Sequence, residues 1–291
     1  MNSLIASWKK WLIIGIEEDG ISFDWTARAT VTSEKSRQKL IRAILVAKAE
    51  GIWAGSSGLK ALEILSAERG LPLKIKSFVS AGDRVKPKQK ICEWQGTSEA
   101  IVGFERSFIN LASYLSGIAT QTRALVDLAS KAKMKVTPRI VGTRKTLPGY
   151  RDLAVQATLL GGAHPHRFNL SGGLLLKENH IAAAGGIVKA IAHAREVIPH
   201  LLKIEIEVRN LSELKQAISA QAEVIMLDNF SPAEIQKAVA IKPSHVIFEV
   251  SGGVTLTHLT DYLIEGVDVI SVGSITHSVT ALDLSLLVQS D

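Results

Sequence analysis

Eight basic side chains crowd the stretch from residue 142 to residue 180, where they are interleaved with glycines. They are Arg144, Lys145, Arg151, His164, His166, Arg167, Lys177 and His180. Only two acidic residues, Asp152 and Glu178, lie in the same stretch. Arginine binds a carboxylate through two parallel hydrogen bonds, and lysine neutralises a phosphate as a point charge. The stretch therefore predicts a site for a strongly anionic ligand.

The three histidines of this stretch allow more than one interpretation. His166 stands next to Arg167 and is a candidate donor to a carboxylate, whereas His164 and His180 could equally cap loops or helices. A zinc site is not expected, because the chain has no HExxH pairing and no cysteine ligands to complete one.

Two carboxylates are expected close to these cations. Glu207 lies near the end of a predicted strand, and Asp228 ends the next one. They could coordinate Mg²⁺ directly or through water, bind sugar hydroxyls, stabilise a developing cation, or only neutralise nearby lysines. Glu205 should face the same way as Glu207 in a strand and is a competing candidate, with Asn229 as a polar neighbour of Asp228.

Two short glycine-containing loops follow the last two predicted strands. Their residues are Ser251, Gly252 and Gly253 in the first loop, and Ser271, Val272, Gly273 and Ser274 in the second. Glycine lets backbone N–H groups approach a phosphate closely, and loops after late barrel strands often hold one. Glycine after a strand is also common in a simple turn, so the pattern fits either role.

The elements that must position these groups alternate regularly from Val136 onward. Short apolar strands are followed by helical segments, as in VTPRIVG, LLLK, KIEIEV, EVIML, HVIFEV and VDVISVG. Such alternation predicts a parallel sheet. The candidate polar residues fall at six strand ends, which favours an α/β barrel over a doubly wound sheet that binds at one switch point. About six or seven strands are predicted, one or two short of the usual eight.

The part before residue 113 has a mixed pattern. The first 15 residues predict an amphipathic helix rather than a signal peptide, because no small-residue cleavage site follows their apolar core. Residues 33–50 fit either a helix or a strand. A long helix is predicted over Ala100–Ala129, with an interruption near Gly117.

The composition narrows the class of protein. With 46% hydrophobic residues the chain can bury a sizeable core, and its apolar runs are too short to span a bilayer. A net charge of +6 fits nucleic acid or a small anion, but only 5% of residues are aromatic, which favours the small anion. The single cysteine, Cys92, excludes an internal disulfide, is expected to be a packed thiol, and fits the predicted cytoplasmic location.

Several segments resemble the quinolinate phosphoribosyltransferase family. They are FERSFINLASYLSGIATQT at 104–122, TRKTLPGYR at 143–151, GGAHPHRFNLSGGLLLKENHI at 161–181, KIEIEV at 203–208, VIMLDN at 224–229, FEVSGG at 248–253 and GVDVISVGSITHS at 266–278. The combination of TRKT-PG-R with HR…KENH is highly specific. Lys177 in KENH separates the transferase from a related, molybdate-linked group that lacks this lysine. Phe23 stands where the family often has glycine, which we expect to affect only the local loop.

The resemblance implies a two-domain subunit of the α/β class. An N-terminal α/β sandwich would cover residues 1–112 and be completed by a C-terminal helix over residues 278–291. An open α/β barrel of about seven strands would cover residues 113–277. It also implies a homodimer, in which the N-terminal domain of one subunit covers the barrel mouth of its neighbour.

The resemblance also assigns roles to the candidate residues. The two carboxylates of quinolinate would be bound by Arg106 of the neighbouring subunit, Arg144, His166 and Arg167. From spacing alone, Arg106 predicts only an exposed charge pair with Glu105. The implied catalytic residues are Lys145, Lys177, Glu207 and Asp228, with Thr143 in the substrate-binding set. The two lysines would lie between quinolinate and phosphoribosyl pyrophosphate, the carboxylates would serve the ribose and Mg²⁺, and the glycine loops would hold the 5′-phosphate.

The implied activity is transfer of phosphoribosyl from phosphoribosyl pyrophosphate to quinolinate, with decarboxylation, in de novo NAD biosynthesis. The products would be nicotinate mononucleotide, pyrophosphate and CO₂. One alternative is a nicotinate phosphoribosyltransferase without decarboxylation, which has one carboxylate to hold and little need for so many arginines. Another is a barrel that binds phosphorylated metabolites without catalysis.

Overall fold

The structure, a computed structural model, describes residues 3–21, 24–30 and 39–289. Phe23, the position that departs from the family pattern, lies outside the described residues. The chain folds as two compact units. The first comprises Met1–Gln121, Asp152–Gly161 and Val279–Asp291, and the second comprises Thr122–Arg151 and Gly162–Ser278.

Helices and strands are numbered in chain order. Up to residue 131 they are α1 Ser3–Asp19, α2 Trp25–Thr30, β1 Leu40–Ala47, β2 Gly51–Ile52, α3 Ser56–Glu68, β3 Lys74–Ser77, β4 Arg84–Val85, β5 Lys90–Thr97 and α4 Ser98–Lys131. They continue with β6 Arg139–Val141, α5 Arg151–Leu160, β7 Leu174–Leu176, α6 Glu178–Ala184, α7 Ile187–Val197, β8 Ile204–Val208, α8 Leu211–Ser219, β9 Val224–Asp228, α9 Pro232–Val239, β10 Ile247–Ser251, α10 Leu259–Tyr262, β11 Val269–Ser271, α11 Ser274–His277 and β12 Leu284–Gln289.

The first unit contains a four-stranded antiparallel sheet in the order β12-β1-β5-β3. Trp8 is buried on α1, one face of which points into the core. Its ring stacks on Phe108 at a centroid distance of 6.1 Å, and Trp94 meets the same ring edge-on at 5.3 Å. Gly58 of α3 lies directly beneath Trp8, because a Cβ at that position would come within 2.4 Å of the indole. These aromatic contacts pack helices on one face of the sheet.

The second unit contains a parallel sheet in the order β6-β11-β10-β9-β8-β7. Along β8 the residues Ile204, Ile206 and Val208 are buried in the hydrophobic core, while Glu205 and Glu207 point to the other face. The sheet forms an open α/β barrel, which confirms the predicted fold class.

The parallel sheet of the described residues has six strands. This number agrees with the six or seven predicted from the strand pattern and is one fewer than the resemblance implies. His164 makes a single parallel bridge with Val141 beside β6, where a further strand would stand. Pro165 follows it and has no N–H to extend a hydrogen-bonded ladder, so no further strand develops there.

Two details of the predicted elements are wrong. Within residues 278–291, where a C-terminal helix was expected, Leu284–Gln289 form the strand β12, which pairs antiparallel with β1. A short apolar run is compatible with either a helix or a strand. Here the segment forms a strand because it pairs with the otherwise unpaired edge of β1. Helix α4 also continues through Gly117 without interruption. A Cβ at this position would come within 2.2 Å of the Thr280 carbonyl oxygen, so the glycine permits close packing rather than a break.

Within the described ranges, every helix is too short or too polar to cross a lipid bilayer.

Candidate active site

The carboxyl ends of the parallel strands bring most of the predicted site residues to one edge of the second unit. Ser251 at the end of β10 pairs with Asp228 at the end of β9. Ser271 at the end of β11 pairs with Val141 at the end of β6, after which the segment beginning at Thr143 follows. Positions far apart in the chain therefore become neighbours, as the strand-end pattern predicted.

Two lysines and two carboxylates form what we call the lysine–carboxylate group: Lys145, Lys177, Glu207 and Asp228. The Lys177 ammonium contacts the Glu207 carboxylate directly. Burial raises the pKa of Asp228, and the nearby Glu207 charge raises it further, while Lys177 and Lys145 act in the opposite direction. Asn229 donates to Asp228 Oδ2 at 2.8 Å, as its adjacent position suggested. The four charged groups thus share one electrostatic environment.

The segment after β6 is tied to the loop after β11. The Lys145 backbone N–H donates to Thr143 Oγ1 at 3.1 Å, and the Thr276 hydroxyl donates to the Lys145 carbonyl at 2.8 Å. A Cβ on Gly273 would lie 3.5 Å from Lys145 Cδ and 3.0 Å from His277 Nε2. These contacts hold Lys145 against the second glycine loop.

The first glycine loop has a steric reason for its sequence. Gly252 has φ +94°, in the region that favours glycine, and a Cβ there would come within 2.2 Å of Asn229 Oδ1. The Asn229 N–H donates to the Ser251 carbonyl at 2.8 Å, so the loops after β9 and β10 run close together. Tight packing accounts for the glycine, and the predicted phosphate role stays a prediction.

Arg144 and Arg167, which we call the arginine pair, lie close enough to influence each other. Burial lowers the pKa of Arg167, and the Arg144 charge lowers it further. Arg167 Nη1 donates to the Gly173 carbonyl at 2.9 Å. The Nε atom of each guanidinium is buried and has no hydrogen-bond partner among the described residues. Buried donors normally have acceptors, so the pair is suited to bind an anionic ligand.

A second set of ionisable groups lies nearer the amino ends of the strands. We call His166, Glu205 and Glu249 the deep trio. His166 Nε2 lies 3.5 Å from Glu249 Oε1 and 3.9 Å from Glu205 Oε2. Burial raises the pKa of Glu205 to about 7, and the Glu249 charge contributes to the rise. The trio and Arg167 line a cavity of about 390 Å³.

The trio has the residue types of a metal site, but its hydrogen bonding does not suit one. Its candidate ligand atoms lie within 4.8 Å of one another. However, His166 Nδ1 accepts a hydrogen bond from the Arg167 backbone N–H at 2.7 Å. In the neutral ring the hydrogen is then on Nε2, the atom that would have to bind the metal. The Glu249 carboxylate raises the pKa of His166, while the Arg167 N–H opposes protonation at Nδ1.

Glu249 is the residue of this region that our sequence analysis missed. Only 4% of its surface is exposed, and it lies on the inward side of β10. A signal was present, because a carboxylate inside the apolar run IFEV is rare in a buried strand.

The remaining candidates lie elsewhere or have local roles. Arg106 lies on α4 in the first unit, is exposed, and approaches Glu105 at 3.6 Å, as its spacing alone predicted. His180 Nδ1 accepts from the Lys177 N–H at 3.0 Å, so this histidine caps α6. Cys92 is buried and its pKa is raised to about 12 by burial, which confirms a packed thiol.

Comparison with known proteins agrees with the sequence motifs. The family described as quinolinate phosphoribosyl transferase matches with its N-terminal domain over residues 24–116 and with its C-terminal domain over residues 118–287. The human nicotinate-nucleotide pyrophosphorylase (carboxylating) is 36% identical over 248 residues, covering 84% of this chain and 81% of the human protein. The protein of the same name from Rattus norvegicus is 35% identical over 289 residues, covering 98% and 90%.

A solved structure extends the similarity to the whole fold. The nicotinate-nucleotide pyrophosphorylase from Francisella tularensis superimposes with a TM-score of 0.87 at 35% identity, covering 98% of this chain and 97% of that one. Both domains of the family are matched in sequence, and the resemblance noted in the motifs is confirmed. The chain belongs to the quinolinate phosphoribosyltransferase family.

Proposed function

We propose that this chain transfers the phosphoribosyl group of phosphoribosyl pyrophosphate to quinolinate and releases CO₂, forming nicotinate mononucleotide for NAD biosynthesis. The observation that carries the proposal is the arginine pair, with two buried and unpartnered Nε–H donors. Arg144 of this pair adjoins Lys145 of the lysine–carboxylate group in the chain. One set of groups suits a dicarboxylate, and the other suits a sugar polyphosphate with its cation. The named relatives are carboxylating nicotinate-nucleotide pyrophosphorylases, which supports the same activity.

In this proposal the arginine pair binds the two carboxylates of quinolinate. A guanidinium matches a carboxylate in a planar, two-point geometry, which orients the pyridine ring as well as holding it. Arg106 of the partner subunit completes the clamp in a homodimer with shared sites. Its exposure on α4 leaves it accessible to a second subunit. Direct contact of His166 with a substrate carboxylate stays a prediction.

Glu207 and Asp228 would hold Mg²⁺, directly or through water, together with phosphate oxygens of the substrate. The fit rests on oxygen donors that lie close enough for one charge to raise the pKa of the other. When bound, the ion neutralises the negative charge of the departing pyrophosphate. The two glycine loops, Ser251–Gly253 and Ser271–Ser274, would bind the 5′-phosphate through backbone N–H groups.

The reaction begins as the bond between ribose C1 and the pyrophosphate oxygen breaks. Lys145 and Lys177 offset the charge of the leaving group and of the incoming diacid, and Glu207 stabilises the cationic character at C1. The pyridine nitrogen then forms a bond to C1. The resulting pyridinium withdraws electrons, so the adjacent carboxylate leaves as CO₂ and the ring carbon takes a proton from solvent. Holding both reactants in line is the main contribution of the chain.

A substrate comparison tests this proposal. The protein is incubated with phosphoribosyl pyrophosphate, Mg²⁺ and either quinolinate or nicotinate, while CO₂ and nicotinate mononucleotide are measured. We expect equal amounts of CO₂ and mononucleotide from quinolinate, and little product from nicotinate. Product from nicotinate alone would support the transferase without decarboxylation. Binding of phosphoribosyl pyrophosphate without turnover of either acid would support the non-catalytic barrel.

The proposed location is the cytoplasm, where a buried, unpaired cysteine such as Cys92 is stable in the reduced form.

A further inference from the structure

Glu249 is unusual among the acidic residues of the second unit, because it is almost completely buried. It exposes only 4% of its surface, and its Oε1 atom makes no hydrogen bond within the described part of the chain. Burying a carboxylate is costly unless a partner compensates it. His166 Nε2 lies 3.5 Å from this Oε1 atom. Because burial of this carboxylate is unfavourable, we expect Glu249 to have a function outside the reaction proposed above.

The hydrogen bonding of His166 shows how its ring is oriented. The Arg167 backbone N–H donates to Nδ1 at 2.7 Å, so the ring hydrogen is on Nε2 and faces the carboxylates of Glu249 and Glu205. The chain itself therefore occupies Nδ1, and Nε2 lies 3.5 Å from Glu249 Oε1 and 3.9 Å from Glu205 Oε2. A rotated ring would lose the contact with Glu249 and leave the Arg167 N–H without its acceptor.

Arg167 is the residue on which this arrangement acts. Its backbone is fixed by the His166 ring, and its Nη1 is fixed by the Gly173 carbonyl at 2.9 Å. Its Nε remains buried and unpartnered in the described structure, which leaves it available to an anion. A binding group needs support of this kind, because a displacement of about 1 Å is enough to weaken a site substantially.

We propose that Glu249 is a positioning residue for the arginine pair. Together with Glu205 it holds the ring of His166, and the ring in turn sets the backbone from which Arg167 reaches the dicarboxylate. The effect on substrate rests on the proposed function, whereas the orientation of the ring does not. Glu249 itself touches neither reactant in this scheme.

The kinetic test compares two substitutions of the same residue. Glu249→Gln keeps an oxygen facing His166 Nε2, and Glu249→Leu removes it. We expect the KM for quinolinate to rise roughly tenfold in the leucine variant and much less in the glutamine variant. The KM for phosphoribosyl pyrophosphate should stay within about twofold of wild type in both. Glu196→Gln, an exposed carboxylate on α7, serves as the control. An unchanged KM for quinolinate in a folded leucine variant would overturn the proposal.

A second measurement needs neither substrate nor variant. In wild-type protein labelled with ¹⁵N-histidine, NMR at a pH at which the ring is neutral should show the His166 hydrogen on Nε2, and added Mn²⁺ should not bind at this ring. Hydrogen on Nδ1, or Mn²⁺ bound at His166, would refute the arrangement even in a protein that turns over quinolinate. If quinolinate is not turned over while the Nε2–H form is present, the proposed function fails and the ring arrangement stands.

Discussion

The lysine–carboxylate group and the deep trio lie on the same face of the same sheet, yet their carboxylates have different surroundings. Glu207 and Glu205 are both inward residues of β8, separated only by Ile206. Glu207 is compensated by a lysine at the open edge, whereas Glu205 lies beside a second buried carboxylate and a histidine. Position along the strand therefore decides whether a carboxylate is paired with a cation at the open edge or buried beside another carboxylate. Under the proposed function, it also separates groups that bind and react from groups that support them.

The largest effect is expected at the lysine–carboxylate group. Lys177→Ala should lower kcat by a factor of about 100 to 1,000, as removal of one stabilising charge from a reacting centre commonly does. Because this lysine is about half exposed, with side-chain exposure of 48%, we expect thermal stability to change little. Steady-state kinetics and a melting curve measure both. Lys215→Ala, on an exposed position of α8, is the matched control, and equal kcat in the two variants would contradict the assignment.

The arginine pair should affect binding more than turnover. Arg167→Ala is expected to raise the KM for quinolinate by roughly 10- to 100-fold, since charge-assisted hydrogen bonds contribute about 1.5 to 3 kcal/mol. Arg167→Lys keeps the charge but loses the two-point geometry, so it should recover only part of the affinity. Calorimetric titration with phthalate, an unreactive diacid, separates binding from chemistry. Full recovery in the lysine variant would show that charge alone is recognised.

The proposed sharing of each site between two subunits is tested by mixing two variants that are expected to be inactive. Arg106→Ala and Lys177→Ala subunits are unfolded together and refolded as hybrids. If each site takes Arg106 from the partner subunit, one site of every hybrid dimer is intact. Random pairing then gives roughly a quarter of wild-type activity. Activity no higher than the sum of the separate variants would argue that each site is formed by one chain.

The smallest effect concerns stability and belongs to the deep trio. The pKa of Glu205 is raised to about 7 in the folded chain, so the folded state holds this proton more tightly than the unfolded state. Stability is therefore lost as the pH rises from the unfolded pKa of about 4.5 through 7. Glu205→Gln should abolish this loss and gain on the order of 2 kcal/mol relative to wild type between pH 5 and pH 8. Melting temperatures across that range measure the difference, and parallel curves would contradict the shift.

The same comparison explains which residues could be found from the sequence. Lys177, Glu207 and Asp228 were singled out because they lie at or near the carboxyl ends of apolar strands, which parallel strands bring together. Lys177 follows β7, Glu207 is the next-to-last residue of β8, and Asp228 ends β9. Glu249 was missed because it lies in the middle of β10, not at its end. A carboxylate at this position is unusual only because the neighbouring strands bury it. The local sequence pattern shows where a residue lies within one strand or helix. It does not show whether that residue is buried, because burial and its energetic cost for a charged group depend on elements far away in sequence.

The prediction of helices and strands from the sequence is limited in the same way. The helical segments predicted after the apolar strands are present, as in Ile187–Val197 and Leu211–Ser219, because helix periodicity is a local signal. Strand β12 was missed and a helix was expected there, because its pairing with β1 joins residues 237 to 247 positions apart and leaves no local signal. Gly117 was predicted to interrupt α4 because the Thr280 carbonyl that packs against it lies 163 positions away in the sequence. Arg106 shows no local sign of a role beyond its pair with Glu105.

A crystal structure of the protein with quinolinate would test the central claim most directly. We predict that the two carboxylates of the ligand lie within hydrogen-bonding distance of Arg144 and Arg167, with at least one bond to a buried Nε. We also predict that the ligand nitrogen faces the lysine–carboxylate group, and that Glu249 contacts His166 but not the ligand. Quinolinate bound away from the arginine pair, with both Nε atoms still unpartnered, would contradict the account.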